Sequence, residues 1–112
     1  MSNLEFVKEF IGVQAEVYNI AKSKGFHENS QSEGEIICLM HSELSEALEA
    51  VRHNNPQSEH ISEFSSVEEE LADVVIRAMD YAELKGYRLG LAIIEKIKFN
   101  KNREYKHGGK KF

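Results

Sequence analysis

Four carboxylates in this chain fall into two spaced pairs, Glu43 with Glu46 and Glu70 with Asp73. Residues three apart on a helix are surface neighbours, so each pair sits one turn apart on a common face. If the two helices are adjacent and antiparallel, the pairs meet and four oxygen-only anionic side chains converge. Such a donor set suits magnesium, and manganese as well, because both take hard oxygen ligands and keep water positions open for substrate phosphates. Acidic residues on helices are more often solvated surface, and the helical wheel separates the two cases. Glu43 lies inside the apolar arc of its helix, between Leu39 on one side and Ile36 and Ala47 on the other, with Glu46 at the edge. A carboxylate buried there requires a proton or a cation. Glu70 and Asp73 flank the arc of Leu71, Val74, Val75 and Ala78, whereas Glu68 and Glu69 read as first-turn residues that favour a helix N-terminus. From the residues alone, a metal site and a surface or salt-bridge cluster both stay open.

Other chemistries fit less well. A carboxylate-bridged di-iron bundle needs an i, i+3 Glu and His pair on each of two helices. The one such spacing here, Glu104 and His107, falls in the C-terminal tail. No His and Cys spacing suggests zinc, no Gly-rich strand-to-helix turn suggests a P-loop, and no Ser, His and Asp nucleophile set stands out. Arg77 and Asp80 extend the polar stripe that contains Asp73, and Arg77 is placed to brace Asp73 as an i, i+4 ion pair. His41 reads as a partly exposed helix histidine.

The elements that must position these groups are helical. There is no sustained period-two alternation, and the single proline and most small polar clusters fall between helical stretches. Three segments open with a Ser followed three residues later by a Glu: Ser2 and Glu5, Ser32 and Glu35, Ser66 and Glu69. The pattern predicts helices over Asn3 to Ser23, Glu33 to Arg52, Val67 to Lys85 and Arg88 to Lys101, with Gly25 and Gly86 stopping the first and third. Asn54-Asn55-Pro56 marks a turn, and Ser58 to Phe64 is expected to add a short helical turn. On the first helix, Leu4, Val7, Ile11, Ala15 and Tyr18 form one apolar stripe, and Phe6, Phe10, Val13, Val17 and Ile20 form another. One stripe can face the chain's own core. The other predicts a second copy, in a dimer or a dimer of dimers.

Bulk properties bound the answer to one soluble domain over residues 1–112, with a helical body (1–101) and a basic tail (102–112). No apolar run approaches a bilayer span, and the start, Met1-Ser2-Asn3-Leu4-Glu5, lacks the pattern of a secretory signal. The lone Cys38 cannot form an internal disulfide and, lying in an apolar pattern, is expected to be a buried thiol; together these features predict a cytoplasmic protein. Net charge is −5, but residues 1–95 carry −11 and residues 96–112 carry +6. An acidic body with a basic tail argues against stable nucleic-acid binding and suits a small anion that arrives with its own cations.

The sequence resembles one known family. Glu43-x-x-Glu46, 23 intervening residues, then Glu70-x-x-Asp73 is similar to the signature of the MazG-like all-alpha nucleotide pyrophosphohydrolases. Glu70-Leu71-Ala72-Asp73-Val74-Val75 looks like its second half. Lys98-Phe99-Asn100-Lys101-Asn102-Arg103 and Lys106-His107-Gly108-Gly109-Lys110-Lys111-Phe112 resemble the tail of a compact single-domain branch, although Glu104 stands where that branch usually has Pro. The resemblance covers roughly residues 33–112. It implies a four-helix-bundle-like, oligomeric, all-α fold and magnesium-dependent cleavage of nucleoside triphosphates between the α and β phosphates. The products would be monophosphate and pyrophosphate, in nucleotide-pool house-cleaning. By the same resemblance Glu43, Glu46, Glu70 and Asp73 hold the metal, Glu43 or Glu46 takes a proton from water, and Lys98, Asn100, Lys101, Arg103, His107 and Lys110 bind the phosphates. Phe6, Phe10, Gln14 and Tyr18 are candidates for the base pocket. Two other readings compete: a non-catalytic helical oligomer that binds a partner or nucleotide, and phosphoribosyl-ATP pyrophosphohydrolysis.

Overall fold

The computed structural model describes residues 1–103. They form four helices: α1 (Asn3–Ser23), α2 (Glu33–Arg52), α3 (Ser66–Lys85) and α4 (Leu89–Lys101). Among the described residues there is no strand, only an isolated antiparallel bridge between Gln57 and Ser65. His107 and Lys110 lie outside the described residues.

Local chemistry explains where the helices begin and end. Ser2 and Ser32 each accept the backbone N–H three residues on, that of Glu5 and Glu35, satisfying a donor that the first turn leaves free. At α3 the expected cap is displaced by one residue. Ser65, not Ser66, accepts the Glu68 N–H, and Glu68 Oε1 accepts the Ser65 N–H in return. Both serines fit the Ser-x-x-Glu pattern; what decides between them is that Glu69 is committed elsewhere, accepting from Ser58 Oγ and bonded to His60 Nδ1, each at 2.6 Å. Helices α1, α2 and α3 all end in the same reverse turn, with Phe26, Asn55 and Tyr87 N–H donating back to the carbonyls of Ala21, Ala50 and Ala82. The turn requires a left-handed residue, supplied by Gly25 (φ 86°), Asn54 (φ 64°) and Gly86 (φ 72°).

Ser58 to Phe64 does not form the expected helical turn. The Ser58 hydroxyl accepts the N–H groups of His60 and Ile61, and the Ser58 N–H reaches the Phe64 carbonyl at 2.9 Å. Those local bonds close an irregular loop and pin it to Glu69 at the start of α3.

Helix α3 packs against both α1 and α2, and α4 packs on α1. Antiparallel α2 and α3 are tied at one end by Glu33, which accepts from Tyr81 Oη and pairs with Lys85, and further along by Glu43 and Arg77. Small residues, Ala47, Ala50 and Ala82, are buried with Met79 along these contacts. On α4, Gly90 is buried against the Phe10 ring, where an added Cβ would stand 3.0 Å from ring carbons.

The two apolar stripes of α1 do not divide into an inward and an outward face as expected. The buried arc lies between them and centres on Gln14, which donates to Glu83 Oε1 at 3.0 Å. The inner margins of both stripes (Val7, Phe10, Val17, Tyr18) are half-buried, while the outer margins Leu4, Ile11, Val13 and Ile20 are exposed. A longer exposed apolar row runs down α2 through Ile37, Leu44, Leu48 and Val51, and Leu71 and Val75 are exposed on α3. Cys38 is also exposed, correcting the expected buried thiol. It follows Ile37 on the side of α2 away from α3. No helix among the described residues is long and apolar enough to cross a membrane.

Candidate metal centre

The facing of α2 and α3 brings the carboxylates together. Oxygens of Glu43, Glu46 and Glu70 lie within 4.8 Å of one another, and a second group of Glu69, Glu70 and Asp73 meets the same limit. Glu70 belongs to both. Glu43 is buried, as the wheel of α2 predicts, and Glu46, at the edge of the arc, is exposed. On α3 the arc is rotated from expectation: Glu70 and Asp73 turn inward while Leu71 and Val75 turn out. Met79 and Ala82 are the buried residues of that helix, and α3 packs against both α1 and α2. Glu69 is in the first turn of α3 as expected, and it is also half-buried and part of the cluster.

Arg77 does not brace Asp73. Its Nε donates instead to Glu43 Oε1 on the neighbouring helix at 3.0 Å, a charge-assisted bond to a carboxylate withdrawn from water. Part of Glu43's need for a cation is thus met within the chain. Burial pushes Glu43 up, but its close contact with the Glu70 carboxyl and the hydrogen bond from Arg77 outweigh it and hold its pKa below the usual carboxylate value.

Glu70 is in the opposite state. Burial, then the proximity of Glu43 and Glu46, push its pKa up to about 8. Its Oε2 is buried and has no hydrogen-bond partner among the described residues. Burial and the charges of Glu43 and Glu69 also raise Asp73. An orphaned buried oxygen between like charges is costly; a divalent cation would satisfy Glu70 Oε2 and remove the repulsion. The donor set is all oxygen, so magnesium or manganese fits it.

Beside the cluster a cleft of about 650 Å³ opens between α1, α2 and α3, a size suited to a small-molecule ligand. Glu43, Asp73 and Arg77 stand in its wall, followed along α3 by Ile76, Asp80 and Leu84 and faced by Val17, Ile20, Ile36 and Leu39. Phe6, Phe10, Gln14 and Tyr18 do not line it. Phe6 and Phe10 pair with each other, with ring centroids 5.7 Å apart, and Tyr18 stacks on His27 at 4.8 Å. What sequence reasoning missed is His27, whose Nε2 bonds Asp80 Oδ1 at 2.8 Å in the cleft wall. Asp80 could be placed from its stripe; the loop histidine had no periodic signal.

The basic residues stand apart from the cluster. Lys98, Asn100, Lys101 and Arg103 are exposed at the end of α4, and none lines the cleft. Lys98 pairs with Glu95 one turn back, at 3.1 Å. His41 is exposed. Comparison of the chain with protein-family models, curated proteins and solved structures found no match.

Proposed function

We propose that this chain is a MazG-like, magnesium-dependent nucleoside triphosphate pyrophosphohydrolase, cleaving between the α and β phosphates. The observation that carries the reading is Glu70 Oε2, a buried oxygen with no hydrogen-bond partner among the described residues, next to Glu43 and Glu46, with Glu43 and Asp73 in the wall of a nucleotide-sized cleft. Glu43, Glu46, Glu70 and Asp73 would hold magnesium, with manganese as a substitute. When bound, the ion neutralises phosphate charge and lowers the pKa of a coordinated water. Glu46 is suited to accept a proton from the attacking water, because it is exposed while Glu43 Oε1 is held by Arg77. Arg77 keeps Glu43 ionised and oriented. Lys98, Asn100, Lys101 and Arg103, with His107 and Lys110 of the tail, are assigned to the departing pyrophosphate. Lys98, Asn100, Lys101 and Arg103 do not line the cleft of their own chain, so in this proposal they serve the cleft of a second copy.

The second copy is part of the proposal. Ile37, Leu44, Leu48 and Val51 recur at helical spacing on one exposed side of α2, a pattern suited to self-association. The proposed setting is the cytoplasmic nucleotide pool, where the enzyme removes unwanted or modified triphosphates. Glu43→Gln and Asp73→Asn are each expected to abolish magnesium-dependent pyrophosphate release while circular dichroism shows the helices intact. Full activity in either variant rejects the site.

A further inference from the structure

We propose that Asp80, held in place by His27, reads the nucleotide base and favours bases that carry an exocyclic amino group over uracil and thymine. The inference rests on the pyrophosphohydrolase reading and concerns the other end of the same cleft. Asp80 lies seven residues beyond Asp73 on α3, roughly 10 Å along the axis, comparable to the span from an α-phosphate to the far edge of its base. With phosphates at the carboxylates, the base edge therefore falls at Asp80. The lining between carries Ile76 and Arg77 on α3, Leu84 lies just beyond Asp80, and Val17 and Ile20 of α1 add apolar surface against which a flat ring can rest.

Polarity then decides which edge is accepted. A carboxylate has only acceptors, so the hydrogen in the 2.8 Å contact belongs to His27 Nε2, which donates to Asp80 Oδ1. The second oxygen accepts no hydrogen bond among the described residues. Side chains of His27 and Asp80 retain 17% and 26% exposure, so the pair is largely withdrawn from water yet open to the cleft. His27 is itself fixed by stacking on Tyr18. A carboxylate oxygen in that wall accepts from the amino group at C4 of cytosine or C6 of adenine, or from that at C2 of a guanine turned to present that edge. It repels the carbonyl that uracil and thymine present in its place. Asp80 is thus the specificity residue, and His27 a positioning residue that sets which oxygen is free.

The test compares kcat/KM for dCTP, dATP, dGTP, dTTP and dUTP, with magnesium, in the wild type, Asp80→Asn and His27→Ala. Wild type is expected to favour one or more of the amino-bearing bases. In Asp80→Asn, His27 Nε2 still donates to the side-chain oxygen, which turns the amide NH₂ toward the base and reverses the polarity. Activity on the favoured base should fall by roughly 10- to 100-fold, the worth of a charged hydrogen bond, while dTTP or dUTP cleavage rises. His27→Ala should narrow the ratio between bases without reversing it. If wild type cleaves triphosphates but Asp80→Asn lowers all of them equally, or changes only thermal stability, the pair is a structural brace and the inference fails. If wild type already prefers dTTP or dUTP, the inference also fails. No cleavage of any triphosphate by the wild type rejects the underlying enzyme reading instead.

Discussion

Magnesium affinity should depend steeply on pH, because the cation must displace the proton on Glu70. A carboxylate of this kind titrates near 4.5 in the unfolded chain and at about 8 in the folded one. Between those values the folded protein keeps a proton that the unfolded chain has released. Metal-free stability should therefore fall as pH rises from about 4.5 to about 8 and level off above. Metal binding needs the ionised form, whose population is about 1% at pH 6, about 10% at pH 7 and half at pH 8. Apparent affinity should then tighten about tenfold from pH 6 to 7, about fivefold from pH 7 to 8, and little above pH 9. Calorimetric titration with magnesium in buffers of different ionisation enthalpy reads both the affinity and the proton released. Glu70→Gln imitates the protonated side chain, so it should keep metal-free stability across the window and lose both the affinity and its pH slope. Equal wild-type affinity at pH 6 and pH 8, or an unchanged slope in Glu70→Gln, would refute the assignment of the proton to Glu70.

Three further perturbations probe the supporting structure. Arg77→Met leaves Glu43 without its guanidinium and should lower metal-free stability by about 1–3 kcal/mol, a loss that shrinks when saturating magnesium supplies another cation; chemical denaturation measures both. Ser65→Ala should cost about 1 kcal/mol through loss of the α3 capping box, whereas Ser66→Ala should cost far less, and an equal loss would contradict the observed cap. If the chain self-associates through the exposed row of α2, Leu48→Glu should leave the helices intact and shift sedimentation from oligomer to monomer; a monomeric wild type, or an oligomer that the substitution leaves unchanged, would contradict that contact.

Much of the architecture was legible because it is set locally. Ser2 and Ser32 cap helices whose ends match expectation at both termini, and Gly25 and Gly86 supply the left-handed turns. Where two local solutions compete, only tertiary contacts decide, as at Ser65 and Ser66, where Ser58 and His60 capture Glu69 from the preceding loop. The wheel of α2 placed Glu43 inside because its neighbours on the wheel, Ile36, Leu39 and Ala47, are themselves half-buried or buried. It failed on α3, where Leu71 and Val75 are exposed while Glu70 and Asp73 are half-buried, and on α1, where one buried arc spans two stripes. Arg77 was assigned to its own helix because sequence spacing reports i, i+4 neighbours but not the more deeply buried carboxylate on α2. The His27 and Asp80 pair joins positions 53 residues apart, a separation that no local pattern encodes.

Product analysis after incubating the purified chain with magnesium and a panel of nucleoside triphosphates tests the account at its centre. The predicted result is monophosphate and pyrophosphate in equal amounts, formed only when magnesium is present. Diphosphate with orthophosphate, or no turnover of any triphosphate, would contradict it.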